Sequence, residues 1–159
     1  MRRVLFFFFI FCLSGCVEDI DGLCIDSACT AEEREMIYEA VDKMNEALGH
    51  ERIFISGVHA KPADPLNDDL DMIVCYDTGG GEETAGKTVY HDILIYRDNV
   101  RNHDTWLSTI MHELGHYIAP VDHRDHICDV TAVMNPQLQI PPLTEYSPKD
   151  IQLFKSLEK

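Results

Sequence analysis

Five consecutive residues carry the clearest chemistry in the chain: His112-Glu113-Leu114-Gly115-His116, the pattern H-E-x-x-H. On a helix, residues four apart share a face, so the imidazoles of His112 and His116 can reach a single ion. Imidazole nitrogen suits Zn2+. Glu113 sits one residue along, rotated out of the ligand direction, where its carboxylate can address a water held by the ion and act as general base. Without a third ligand, the same five residues are an exposed helical turn that happens to carry two histidines and a glutamate, so the surroundings decide.

A catalytic zinc site takes three protein ligands and keeps its fourth position open. Asp122, His123, Asp125 and His126 follow just downstream, each with a suitable donor. In this stretch the chain resembles the metzincin metallopeptidases, whose extended motif is H-E-x-x-H-x-x-G-x-x-H/D followed by a Met-turn. Counted from His112, the third-ligand position falls on Asp122. The Met-turn falls on Ala132-Val133-Met134-Asn135-Pro136, and the resemblance implies that Met134 packs its thioether beneath the metal without coordinating it. Asp122-His123, with Cys128 six residues after the aspartate, is most similar to the snapalysin branch, where an aspartate is the third ligand. Tyr146-Ser147-Pro148-Lys149-Asp150-Ile151 is similar to the start of the last helix in matrixins. Where the family has a glycine after the helix, this chain has Ala119-Pro120, and proline biases Ala119 out of the helical region. The helix must therefore stop near Ile118, and a turn made differently keeps His123 as the alternative third ligand. The resemblance covers residues 105–159 well and implies Zn2+ as cofactor, a peptide or protein substrate, and hydrolysis of peptide bonds.

The elements that would hold these residues are signed along the chain. Thr30 and Glu33 form a capping box, and Met36, Ile37, Ala40, Val41, Met44 and Leu48 recur at helical spacing before Gly49, which predicts a helix over 31–48. Apolar runs over 52–58, 71–76 and 88–96, rich in Ile, Val, Phe and Tyr, predict three strands of one sheet. Asp104 caps a second helix through Ile118, with Trp106, Leu107, Ile110, Met111 and Leu114 on its apolar side. Ser147, Pro148 and Asp150 open a third, with Ile151, Leu153, Phe154 and Leu157. With the resemblance, the expectation is an α+β metzincin-like zincin domain. It has an N-terminal mixed sheet with a backing helix and the active-site helix, then a small C-terminal subdomain ending in a helix. The 88–96 run is the expected edge for a substrate strand.

Other candidates weigh less. Asp64, Asp68, Asp69 and Asp71 offer oxygen ligands for calcium, but their spacing matches no EF-hand loop and reads as a solvated loop. The run from Gly79-Gly80-Gly81 to Gly86 lacks the Lys-Ser/Thr ending of a phosphate-binding loop. His50, His59, His91 and His103 read as surface or supporting histidines. Asp125 or His126 could buttress a metal ligand, and Arg124 or Tyr146 could face an oxyanion.

The whole chain of 159 residues is one domain's worth, with 13 basic and 28 acidic side chains and a formal charge of −15. Such a balance repels polyanions and argues against nucleic acid as a partner. Arg2 and Arg3 precede an unbroken apolar run from Val4 to Leu13, then Ser14-Gly15-Cys16, which reads as a secretory signal peptide. A bilayer-spanning helix needs about 20 apolar residues, more than this run has. Leu13-Ser14-Gly15-Cys16 resembles the bacterial lipobox, which implies acylation of Cys16, palmitate among the chains, and attachment to a membrane of the cell envelope. The expected organisation is a lipoprotein signal over 1–15, a lipid-anchor tether over 16–29, and a monomeric peptidase domain over 30–159. Cys24, Cys29, Cys75 and Cys128 then lie in an oxidising compartment, where four thiols suggest two disulfides. Their connectivity is open: Cys24 and Cys29 are close enough to pair locally, and one bridge with two buried thiols is the alternative. The competing function is an inactive, zinc-stabilised surface lipoprotein that binds a protein partner, against which an intact Glu113 tells.

Overall fold

The computed structural model describes residues 21–61, 70–81, 84–100, 102–119, 127, 129–136 and 141–157. Cys16, the acidic residues Asp64, Asp68 and Asp69, residues 120–126 and Cys128 lie outside this set. The order of elements is β1 (Asp21–Asp26), α1 (Ala31–Leu48), β2 (Ile53–His59), β3 (Met72–Tyr76), β4 (Gly86–Val89), β5 (Asp92–Tyr96), α2 (His103–Ile118) and α3 (Pro148–Leu157).

The first helix starts and stops where local chemistry dictates. Thr30 Oγ1 accepts from the Glu33 amide at 3.2 Å, and the Glu33 carboxylate accepts from the Thr30 amide at 2.7 Å. At the far end Gly49 adopts φ 85°, a left-handed conformation that glycine reaches without a Cβ penalty. Arg97, in a single 3₁₀ turn after β5, donates to both oxygens of Glu33, at 2.6 and 2.8 Å, and to Asp77 at 2.6 Å. The start of α1 is thereby fixed to the end of the sheet.

The five strands lie in the order β2-β1-β3-β5-β4. Neighbouring pairs are parallel except β4 with β5, which is antiparallel; β4 is one edge of the sheet and β2 the other. Leu23, Ile25, Ile53, Ile73, Ile93 and Ile95 meet the buried faces of α1 and α2 in one core. Cys24, Met72 and Val74, alternate residues of the same strands, form a smaller cluster on the opposite face.

The structure departs from several expectations drawn from the sequence. The tether expected over 16–29 is interrupted by β1, a strand paired on both sides whose Leu23-to-Asp26 stretch is buried, so the folded body begins by Asp21 instead of Thr30. A short Leu-Cys-Ile run flanked by acids suffices for a strand that packs on both faces. The 88–96 run is a hairpin, not one strand: it turns at Tyr90, at φ 56°, and Val89 pairs with Asp92. The expected substrate edge therefore belongs to β4 alone, because β5 is paired on both sides. The second helix is capped by Asn102, whose side chain accepts from the Thr105 amide at 2.9 Å, and not by Asp104. Cys29 bonds to Cys75 across 46 residues, so Cys24 and Cys29 are not partners; Cys24 is a buried free thiol against the Ser56 hydroxyl at 3.0 Å.

Candidate metal centre

The apolar side of α2 buries Trp106, Leu107, Ile110, Met111 and Leu114, which fixes the helix's rotation and with it the direction of its polar residues. The helix ends at Ile118, and Ala119 leaves the helical region as a residue before proline should. His112 and His116, one turn apart, bring their Nε2 atoms to 3.1 Å. Their rings stand edge to face with centroids 4.8 Å apart.

The Nδ1 of His112 lies 2.9 Å from the Val133 carbonyl oxygen. A carbonyl only accepts, so Nδ1 carries a proton, and in the neutral ring Nε2 then presents its lone pair. Two nitrogen ligands at 2.0–2.1 Å on a tetrahedral ion stand about 3.3 Å apart, close to the observed separation. The donor set thus fits a shared cation, and a backbone carbonyl holding the far nitrogen is the usual support for a ligating histidine.

The segment that supplies this carbonyl is itself held from below. Asp150, at the start of α3 and fully buried, accepts from the amides of Val133 and Met134, each at 3.0 Å, and from the Ser147 amide and hydroxyl at 2.8 and 2.7 Å. Met134 is fully buried under α2, where a Cβ on Gly115 would come within 2.2 Å of its sulfur. Glycine at 115 is what allows this approach, one residue before His116. Tyr146 donates to the Met111 carbonyl at 2.7 Å, and burial drives its hydroxyl well above the ordinary tyrosine range. That phenol is a peg between α2 and the chain entering α3, which corrects its candidacy as an oxyanion donor.

Glu113 is buried, at 5 % exposure, on the side of α2 that meets the edge strand. Thr88 Oγ1 of β4 lies 2.8 Å from Glu113 Oε2 and 3.0 Å from the Glu113 carbonyl oxygen. Gly86, two residues earlier on the same face of β4, has no side chain to spare: a Cβ there would stand 2.9 Å from Glu113 Cγ and 3.1 Å from Oε1. Thr88 escapes a reading by pattern because its partner is 25 residues away, and Asp150 reads from sequence only as a helix-start residue.

Of the residues predicted for the site, His112, Glu113, His116 and Met134 come together around one stretch of α2. Asp122, His123, Arg124, Asp125 and His126 lie outside the described residues. His103 faces Glu39 and Asp104, and His91 faces Asp71, each at an exposed position. A second group with metal-ligating residue types, Cys29, Glu33 and Cys75, has its ligand atoms within 4.8 Å. There the two sulfurs are bonded to each other and Glu33 is engaged by Arg97, so those donors are committed.

Fold and site together define an α+β domain with a mixed five-stranded sheet and a histidine-bearing helix packed beneath it. A solved structure of this architecture is archaemetzincin from Methanopyrus kandleri, similar with a TM-score of 0.60 and 11% identity over 86% of this chain and 94% of that one. The likeness is one of fold. No protein family and no curated protein matches the sequence.

Proposed function

We propose that the chain is a zinc-dependent endopeptidase, held outside the cytoplasm by a lipid on Cys16. The observation that carries this reading is the pair of Nε2 atoms 3.1 Å apart on α2, with His112 oriented through its Nδ1 by the Val133 carbonyl. His112 and His116 would hold the ion together with Asp122, or with His123 as the alternative. Bound Zn2+ supplies Lewis acidity toward the scissile carbonyl and makes water a better nucleophile near neutral pH. Glu113 takes a proton from the attacking water and delivers it to the leaving nitrogen. Met134 serves as an apolar floor under the site, a role supported by its fit against Gly115.

The substrate is a peptide in extended form. As the edge strand beside α2, β4 has a side that pairs with no described strand, and its main-chain N–H and C=O groups there can accept an added strand. A peptide added there runs alongside Gly86 and Thr88, the residues that touch Glu113.

The test is cleavage of casein or a peptide library by the zinc-loaded protein and by a Glu113→Ala variant that still holds zinc. Cleavage by the parent alone is expected. Equal cleavage by both overturns the proposal, and zinc retained with no cleavage by either favours a partner-binding lipoprotein instead.

A further inference from the structure

We infer that Thr88 is a positioning residue for Glu113, coupling the strand on which substrate docks to the group that moves the proton. The inference rests on the peptidase reading above. Its observations are the two short approaches of one hydroxyl, to Glu113 Oε2 at 2.8 Å and to the Glu113 carbonyl at 3.0 Å, and the clearance left by Gly86 on the same strand face.

A glutamate side chain has three rotatable bonds, and fixing it in one rotamer costs entropy that a free side chain would have to lose during the reaction. Thr88 and Gly86 remove that freedom beforehand. The hydroxyl donates to Oε2 and fixes the plane of the carboxylate, while the bare α-carbon of Gly86 lets Oε1 and Cγ lie flat against the strand. Threonine is suited to this because its χ1 is stiff in a strand, so the hydroxyl is itself held in place. The arrangement also gives the hydroxyl two acceptors on one residue. When Glu113 holds the proton in transit, Thr88 can accept from the carboxylic acid and donate to the Glu113 carbonyl, so neither group is left without a partner. Because β4 is also the edge that a substrate strand would join, docking and base geometry are set by one short segment.

The experiment compares the parent with Thr88→Val, which keeps the shape and removes the hydroxyl, and Thr88→Ser, which keeps the hydroxyl. Initial rates are measured on a fluorogenic peptide, with zinc content and melting temperature of each protein recorded. Thr88→Val is expected to lower kcat at least about 10-fold with KM changed less than about 3-fold and zinc retained, the signature of lost transition-state stabilisation with substrate binding intact. Thr88→Ser should recover kcat to within about 3-fold of the parent. Unchanged kcat in Thr88→Val, a loss confined to KM, or a Thr88→Ser variant as slow as Thr88→Val would each overturn the inference. Should Thr88→Val fail to fold, Thr88→Ala takes its place with the same expectation. A parent that cleaves nothing removes the peptidase reading and this inference together, whereas an active parent matched by Thr88→Val removes this inference alone.

Discussion

Replacing Asp150 by asparagine probes the support under the site without emptying it. The carboxylate receives four hydrogen bonds, two of them from the buried amides of Val133 and Met134, and Val133 in turn orients His112 through its carbonyl. A hydrogen bond to a charged group contributes about 1.5–3 kcal/mol, and the two from Ser147 can be replaced by water more easily than the two from the Met134 segment. Removing the side chain in Asp150→Ala therefore costs about 4 kcal/mol. Asparagine keeps one acceptor oxygen and turns an NH2 toward the other donors, which costs about half as much, about 2 kcal/mol. For a chain of this size the expected falls in melting temperature are about 12 °C and 6 °C. The consequence for the proposed metal is separate: if His112 ligates zinc, loosening the Val133 carbonyl that orients it lowers affinity about 10-fold or more. Calorimetry of the metal-free variants gives the first quantity, and competition with a chelator gives the second. If Asp150→Asn melted within about 1 °C of the parent and bound zinc as tightly, the chain of bonds from Asp150 through Val133 to His112 would be the wrong account.

Two further perturbations bear on the packing under α2 and on the start of α1. Gly115→Ala gains helix propensity but drives a Cβ to within 2.2 Å of the Met134 sulfur, so the variant should be less stable by about 2 kcal/mol or more in urea unfolding, and an unchanged midpoint would contradict the fit. Burial raises the Glu33 carboxyl, but the hydrogen bonds from Arg97 and the Thr30 amide outweigh it and hold the group below its ordinary value. Its contribution to stability is present above pH about 4.5 and is lost as pH falls through the lower folded value, so the parent should lose stability on acidification more steeply than Arg97→Gln does. Parallel acid limbs for the two proteins would refute that assignment.

The sequence specifies most plainly those elements whose cause is local. The first helix matches the expected 31–48 span because Thr30, Glu33 and Gly49 act within one turn of its ends. The H-E-x-x-H pattern placed His112, Glu113 and His116 on one helix for the same reason, and the last helix begins at Pro148 as its capping residues required. The features that local sequence does not announce are those whose cause is distant. β1 is six residues long and acidic at both ends, and only its pairing on both sides makes it central. The turn at Tyr90 and His91 has no glycine or asparagine to announce it. Thr88 and Asp150 act on partners 25 and 17 residues away, and no spacing rule links them to the site. Asp122 and His123 lie outside the described residues, so the third ligand stands as the resemblance to metzincins left it.

Whether His112 and His116 hold a zinc ion is read from the metal content per chain. Purified with zinc and freed of excess, the parent should carry one ion per chain, and the His112→Ala/His116→Ala double variant should carry none while retaining its Cys29–Cys75 bridge. A double variant that keeps as much zinc as the parent would contradict the account.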